Sequence, residues 1–171
     1  MKKQNAVVLS IMLMLTLCTV STVHATTTEG QVKNALSLLK RTGITIDKSS
    51  IVILNTQEDT DKVTSPTQKQ VAMTSNAFVI GNQFPIYINA WADFWEHARQ
   101  EPQVAVDVMI AGILAHERIH AAGDTSETAA YAEELRVVRK LATQNKVDYA
   151  LSGWISQTER FLEEEKLVAG T

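Results

Sequence analysis

The sequence of 171 residues is poor in cysteine. Its one cysteine, Cys18, lies in an apolar run that we interpret as a removable leader, so the rest of the chain can form no disulfide. A lipid anchor on Cys18 would require a small residue before it, and Leu17 stands there instead. The folded domain must therefore be stabilised by packing and by any metal that it binds.

The sequence also lacks a run of basic residues. Without Lys2 and Lys3, 14 basic residues remain against 19 acidic ones, which gives a formal charge of −5. An acidic domain is poorly suited to bind nucleic acid or an anionic membrane surface, so we predict neither as a partner. Internal repeats, low-complexity segments and a glycine-rich loop for phosphate are absent as well.

The first 25 residues have the pattern of a secretory signal. Lys2 and Lys3 precede an apolar run over residues 6–20, and Val23 and Ala25 form the small-x-small pattern that signal peptidase recognises. The run is short for a membrane-spanning helix. We therefore predict a signal peptide over residues 1–25 and a single mature domain over residues 26–171, exported to the periplasm or secreted.

Hydrophobic spacing in the first half of the domain predicts one helix and a small sheet. A helix is expected over residues 31–42, a buried strand over Ile51–Leu54 and an exposed loop over residues 55–70. Strands over residues 77–80 and 84–88 flank Gly81-Asn82 and read as a hairpin. Pro85 has no amide proton, which places the second of these strands at a sheet edge.

The second half of the domain is predicted to be helical. A short helix over residues 91–97 precedes a long apolar helix over residues 102–121, which is expected to be the buried centre of the fold. Asp124 and Glu127 resemble a capping box that opens a helix over residues 124–143. A last helix is predicted over residues 147–167.

The central helix carries the pattern His-Glu-x-x-His as His116, Glu117 and His120. Residues four apart on a helix share one face, so both imidazoles can reach one metal ion. Zinc accepts neutral imidazole nitrogens, and in catalytic sites it keeps one position for water. Glu117 lies beside this face, where its carboxylate could accept a proton from that water. The pattern therefore predicts zinc as cofactor and Glu117 as general base.

A catalytic zinc site needs a third protein ligand. Glu127, Tyr131 and Glu134 lie on one stripe of the following helix, and a turn at Gly123 could fold that stripe back onto the histidines. We favour Glu127 as the metal ligand. The open alternatives are Glu134, Asp124 and His97. Tyr131 is a catalytic candidate that could donate a hydrogen bond to a developing oxyanion, although a tyrosine here could also be a core residue.

Over residues 116–134 the sequence resembles the zincin metallopeptidases, whose signature is His-Glu-x-x-His on a helix. Glu127-Thr128-Ala129-Ala130 is similar to the Glu-x-x-Ala setting of the third ligand in the gluzincin branch, although gluzincins place that glutamate further along the chain. The metzincin branch has histidine or aspartate where this chain has Ser126. The resemblance also implies that an edge strand before the motif, residues 86–88 here, pairs with an extended peptide substrate.

Together these features predict an α+β domain, with a small, mostly antiparallel sheet packed on a helical core around a central zincin-like helix. The expected function is an exported zinc-dependent peptidase that acts on peptide or protein substrates. One alternative is a non-catalytic exported domain that binds a metal or a protein partner through a structural or degenerate site. In the other alternative the pentapeptide is a coincidence.

Overall fold

The structure is a computed structural model that describes residues 27–98 and 100–169. The expected signal peptide over residues 1–25 lies outside the described residues. Seven α-helices and three strands are formed in the described part, which makes the fold α+β. The elements in chain order are α1 (Thr28–Thr42), β1 (Ile51–Leu54), α2 (Gln57–Val63), α3 (Lys69–Thr74), β2 (Ala77–Ile80), β3 (Gln83–Asn89), α4 (Asp93–Ala98), α5 (Gln103–Ala121), α6 (Glu127–Asn145) and α7 (Asp148–Ala169).

The sheet is mixed, with the strand order β1-β3-β2. β1 pairs with β3 in parallel and β2 pairs with β3 antiparallel, so the expectation of a mostly antiparallel sheet was wrong. β3 is the central strand, and its expected position at an edge was wrong too. The ladder tolerates Pro85 because the register shifts there: Val79 pairs with Ile86, whereas Ile80 pairs with Gln83. Pro85 falls in this irregularity, where no ladder partner needs its amide proton.

Helix α5 is the centre of the hydrophobic core, as its apolar composition predicted. Val106, Val108, Ile110 and Leu114 are all at most 1% exposed. α5 packs against α1, α6 and α7 and against strands β2 and β3. The long helix is therefore held on several sides, which fixes the position of every residue that it carries.

Residues 55–70, expected to be a loop, contain α2 and the start of α3. Thr56 caps α2 by accepting a hydrogen bond from the Asp59 amide at 3.1 Å, and the Asp59 carboxylate accepts one from the Thr56 amide at 3.1 Å. This reciprocal capping box stabilises a polar segment as a helix without an apolar stripe. The prediction of a loop was wrong, because side-chain capping stabilises a helix here although the segment is polar.

Asn89, which is fully buried at the end of β3, joins this segment to the sheet. Its side-chain amide donates hydrogen bonds to the carbonyls of Ala72 and Ser75 at 2.6 and 2.8 Å. Its side-chain oxygen accepts one from Thr60 at 2.8 Å. These bonds attach α2 and α3 to β3 and fix the chain segment that leads into β2.

Gly112 allows α5 and α6 to approach closely. A Cβ at this position would lie 2.5 Å from Cγ2 of Val138 and 3.2 Å from Cγ of Glu134. Val138 is buried and β-branched, so it has little freedom to move aside. The close packing of α5 on α6 therefore requires glycine at position 112, next to Val138 and Glu134.

We expect Gly112→Ala to destabilise the protein by about 1 to 3 kcal/mol, because overpacking outweighs the gain of about 1 kcal/mol in helix propensity. Gly153 in α7 is the matched control, since a Cβ there would meet nothing within 4 Å. Gly153→Ala should stabilise the protein by up to about 1 kcal/mol. Chemical denaturation measures both changes. Stabilisation by both substitutions would show that α5 and α6 separate easily.

Candidate metal centre

His116 and His120 occupy the last turn and a half of α5, and each is 9% exposed. Their Nε2 atoms lie 3.3 Å apart, and their ring centroids are separated by 5.0 Å. Both rings therefore point the same ring nitrogen toward one point, as the spacing of four residues predicted.

The turn between α5 and α6 brings Glu127 to these histidines. Gly123 has a φ of 96°, a left-handed conformation that favours glycine and reverses the chain after α5. Ser126 caps α6 by accepting a hydrogen bond from the Ala129 amide at 3.2 Å, whereas the Asp124 carboxylate accepts one from the Ser126 amide at 2.8 Å. The expected capping box of Asp124 and Glu127 was wrong, and Glu127 is instead the first residue of the helix.

The Glu127 carboxylate completes a triangle of candidate ligand groups, with one of its oxygens facing each histidine. Its Oε2 lies 3.4 Å from His116 Nε2, and its Oε1 lies 3.4 Å from His120 Nε2. Neighbouring ligands in a tetrahedral zinc site, with bonds of about 2.0 to 2.1 Å, lie about 3.3 to 3.4 Å apart. Among the described residues this trio forms the one group of three or more such side chains placed to hold a metal ion. The residues present fit zinc.

The second ring nitrogen of each histidine has its own acceptor. His120 Nδ1 lies 2.8 Å from the carbonyl oxygen of Asp124, and His116 Nδ1 lies 3.2 Å from Oε2 of Glu134. A carbonyl oxygen can only accept a hydrogen bond, so Nδ1 of His120 donates one to it, and the Nε2 lone pair of the neutral ring is left for a metal. When its ring is neutral, His116 has the same arrangement, with the Glu134 carboxylate as the acceptor for Nδ1.

The other third-ligand candidates lie elsewhere in this arrangement. Glu134 contacts the outer nitrogen of His116, and Asp124 contacts His120 through its backbone carbonyl. His97 is exposed on α4, where its Nδ1 lies 2.9 Å from the carbonyl oxygen of Asp93. Of the candidates, the structure therefore places only Glu127 against both Nε2 atoms.

Glu134 is itself held by helix α7, a contact that the sequence analysis missed. The indole nitrogen of Trp154 donates a hydrogen bond to Glu134 Oε1 at 2.9 Å, and the Thr158 hydroxyl lies 3.3 Å from the same oxygen. Glu134 is 5% exposed, so these contacts replace the water that a buried carboxylate needs. The spacing of four residues on α7 placed Trp154 and Thr158 on one face, but no local pattern indicated their partner.

Glu117 is buried beside the first histidine, with 9% of its surface exposed. Burial raises the pKa of its carboxyl group to about 8, with further raising by Glu127 and Glu134 and an opposing effect of His116. A carboxylate in such surroundings is a stronger base than one in water. A base with a pKa near neutrality is suited to take and return a proton.

Tyr131 lies one turn into α6, with its ring centroid 4.7 Å from that of His116. Burial and the carboxylates of Glu127 and Glu134 raise the pKa of its hydroxyl group to about 12. The hydroxyl therefore keeps its proton at neutral pH and remains a hydrogen-bond donor.

A cavity of about 590 Å³ opens onto this centre. Its walls are edge strand β2 with the residues before it, the motif face of α5, the first turns of α6, and the middle of α7. The three candidate ligands, Glu117 and Tyr131 all line it. The edge strand beside the site is thus β2, because β3 lies inside the sheet.

Zinc binding should depend strongly on pH. Burial lowers the pKa of His116, but its hydrogen bonds with Glu127 and Glu134 outweigh this effect and raise it to about 9. Below that pH, a metal must displace a proton from His116, so apparent zinc affinity should fall about tenfold for each pH unit lost. Chelator competition at several pH values, corrected for the chelator's own protonation, measures the slope. A flat profile would show that His116 is neutral before the metal binds.

None of the helices in residues 27–98 and 100–169 is long and apolar enough to cross a membrane. Comparison of the chain with protein-family models, with curated proteins and with solved structures found no match.

Proposed function

We propose that the protein is a zinc-dependent peptidase of the zincin type. The observation that carries the proposal is the triangle of two imidazole nitrogens and one carboxylate, with the buried carboxyl group of Glu117 beside it, at the wall of an open cavity. Three protein ligands and an accessible fourth side are the requirements of a catalytic zinc site, whereas structural sites are closed by four protein ligands. We also propose that the leader-like residues 1–25 direct export.

His116, His120 and Glu127 would hold the metal through the atoms that now face one another. When bound, zinc supplies a positive charge that polarises a substrate carbonyl and acidifies a water molecule. Glu134 and the Asp124 carbonyl keep the two imidazoles oriented for this task, because each accepts from the outer ring nitrogen.

Glu117 would take the proton of the attacking water and deliver it to the departing amine. Its position next to His116 and on the cavity wall satisfies the requirement that a base lie close to the reacting atoms. Tyr131 keeps its hydroxyl proton and lines the same cavity, so it is placed to stabilise an oxyanion by a hydrogen bond. One cavity thus contains a candidate general base, a candidate hydrogen-bond donor and the candidate metal ligands.

Metal analysis and peptide hydrolysis of the purified protein test the proposal together. We expect about one zinc ion per chain and cleavage of a mixture of internally quenched peptides. A chelator should abolish cleavage, and added zinc should restore it. Zinc without cleavage would identify a non-catalytic metal-binding domain, and absence of zinc binding would overturn the metal site itself.

A further inference from the structure

The lining of the cavity contains three carboxyl groups. Glu117, Glu127 and Glu134 all line it, and no lysine or arginine does so in the part of the chain that the structure describes. Apart from any bound metal, a substrate carboxylate in this cavity would therefore find no lysine or arginine side chain among the described residues to pair with.

Arg160 lies next to Phe161, and its side chain is exposed to solvent. Its guanidinium carbon lies 5.5 Å from the ring centroid of Phe161, and its side chain is 65% exposed. Its Nε lies 3.7 Å from a carboxylate oxygen of Glu164. Arg160 does not line the cavity.

An aromatic wall, formed by Tyr131, Trp154 and Phe161, runs outward from the first histidine. The ring centroid of Tyr131 lies 4.7 Å from His116 and 5.5 Å from Phe161. All three side chains line the cavity and are half-buried, so apolar ring surface remains open to a ligand. Aromatic surface of this kind favours an aliphatic or aromatic side chain.

We propose that this site binds internal segments of a peptide, with an aliphatic or aromatic side chain against Phe161, and rejects chain ends that carry a free carboxylate. The inference deepens the proposed peptidase function and rests on it. It assigns the substrate class as internal peptide bonds next to an apolar residue. Of the aromatic side chains, we assign Phe161 as the specificity-determining residue. Trp154 is less suitable for a test, because it also donates a hydrogen bond to Glu134, which contacts His116.

Peptide binding tests the inference independently of catalysis. The protein is the full chain carrying Glu117→Gln, measured by calorimetry with and without added zinc. The probes are a short glycine-alanine peptide with one central leucine and both ends blocked, the same peptide with aspartate in place of leucine, and a version that ends at leucine with a free carboxylate. We expect the blocked leucine peptide to bind at least about tenfold more tightly than either of the others.

Phe161→Ala should remove most of the preference for leucine over alanine at the central position, measured with a further blocked peptide that has alanine there. Phe84, which is 43% exposed on β3 and outside the cavity, is the matched control, and Phe84→Ala should leave the preference unchanged. Circular dichroism before each titration identifies a variant that fails to fold. In that case Phe161→Leu, which keeps an apolar side chain but removes the ring, should weaken binding of a blocked peptide with phenylalanine at the central position.

The free-acid peptide binding as tightly as the blocked one would overturn the inference. An unchanged preference in a folded Phe161→Ala protein, or no binding of any probe, would do so as well. Hydrolysis by the wild-type chain separates the two proposals. Cleavage with a preference for terminal carboxylates refutes the substrate class alone, whereas the expected binding preference without cleavage refutes the peptidase function alone.

Discussion

Glu117→Gln is expected to keep zinc bound while lowering peptide hydrolysis by at least about a hundredfold. Glutamine retains the shape of the buried side chain but cannot take a proton from water, and general-base catalysis contributes about 10² to 10⁴ in rate. Glu117 is not one of the three candidate ligands, so the metal content should stay near one ion per chain. Elemental analysis and hydrolysis of the same preparation measure the two properties.

A loss of stability would not explain this result. Burial raises the pKa of Glu117 from 4.5 to about 8 in the metal-free protein, so the folded state prefers the protonated form. The stabilisation is complete below pH 4.5 and is lost as the pH rises toward 8. Glutamine cannot ionise, and the metal-free variant should therefore be at least as stable as the wild type at neutral pH. Normal hydrolysis by the variant would show that Glu117 is not the base.

Removal of ligand side chains should have the second large effect. We expect His116→Ala and His120→Ala to lose zinc, and Glu127→Ala to weaken zinc binding by more than about a hundredfold, because two histidines alone bind zinc weakly. Glu134→Gln should weaken it by about 10- to 100-fold, as expected for a residue that orients a ligand. Chelator competition at fixed pH ranks the variants.

Glu133→Gln is the charge-matched control for this series. Glu133 neighbours Glu134 in α6, but its carboxylate pairs with Arg136 at 2.7 Å and with Arg118 at 3.4 Å. Its removal changes the net charge by the same amount without touching the ligand triangle, so zinc affinity should stay within about twofold. A larger effect of Glu134→Gln than of Glu127→Ala would transfer the role of ligand to Glu134.

Ser126 makes Glu127→Ala an informative substitution. Because Ser126 caps α6, the loss of Glu127 removes no capping hydrogen bond. The substitution removes the favourable interaction of a carboxylate with the helix N-terminus, which contributes about 0.3 to 1 kcal/mol, together with the contacts of Glu127 with the two imidazoles. A large fall in zinc affinity in a folded variant would therefore report on coordination.

The sequence predicted local structure well wherever a hydrophobic period or a positive φ decided it. The apolar residues of α5 predicted a buried central helix, and Gly81-Asn82, with φ values of 65° and 53°, formed the hairpin turn that their residue types favour. The pairing of the two histidines was also predictable, since one helix carries both. These features depend on residues that are close in the chain.

Contacts between distant segments were not predictable in the same way. The parallel pairing of Ile51 with Ile86 spans α2, α3 and β2, and nothing within either strand specifies it. The contact of Trp154 with Glu134 depends on how α7 packs on α6. Both arise from the packing of helices and strands against one another, which the pattern within each element leaves open.

Because α7 is the last helix in the chain, the candidate metal centre is completed late during synthesis. A polypeptide is made from its N-terminus, and segments that emerge first can begin to fold first. His116, His120 and Glu127 are present before Trp154 and Thr158 are added. Until α7 docks, Glu134 lacks the two side chains that hold it, and the His116 ring lacks a fixed support. A newly made chain therefore carries the candidate ligands before they are held rigidly, and docking of α7 completes the candidate site.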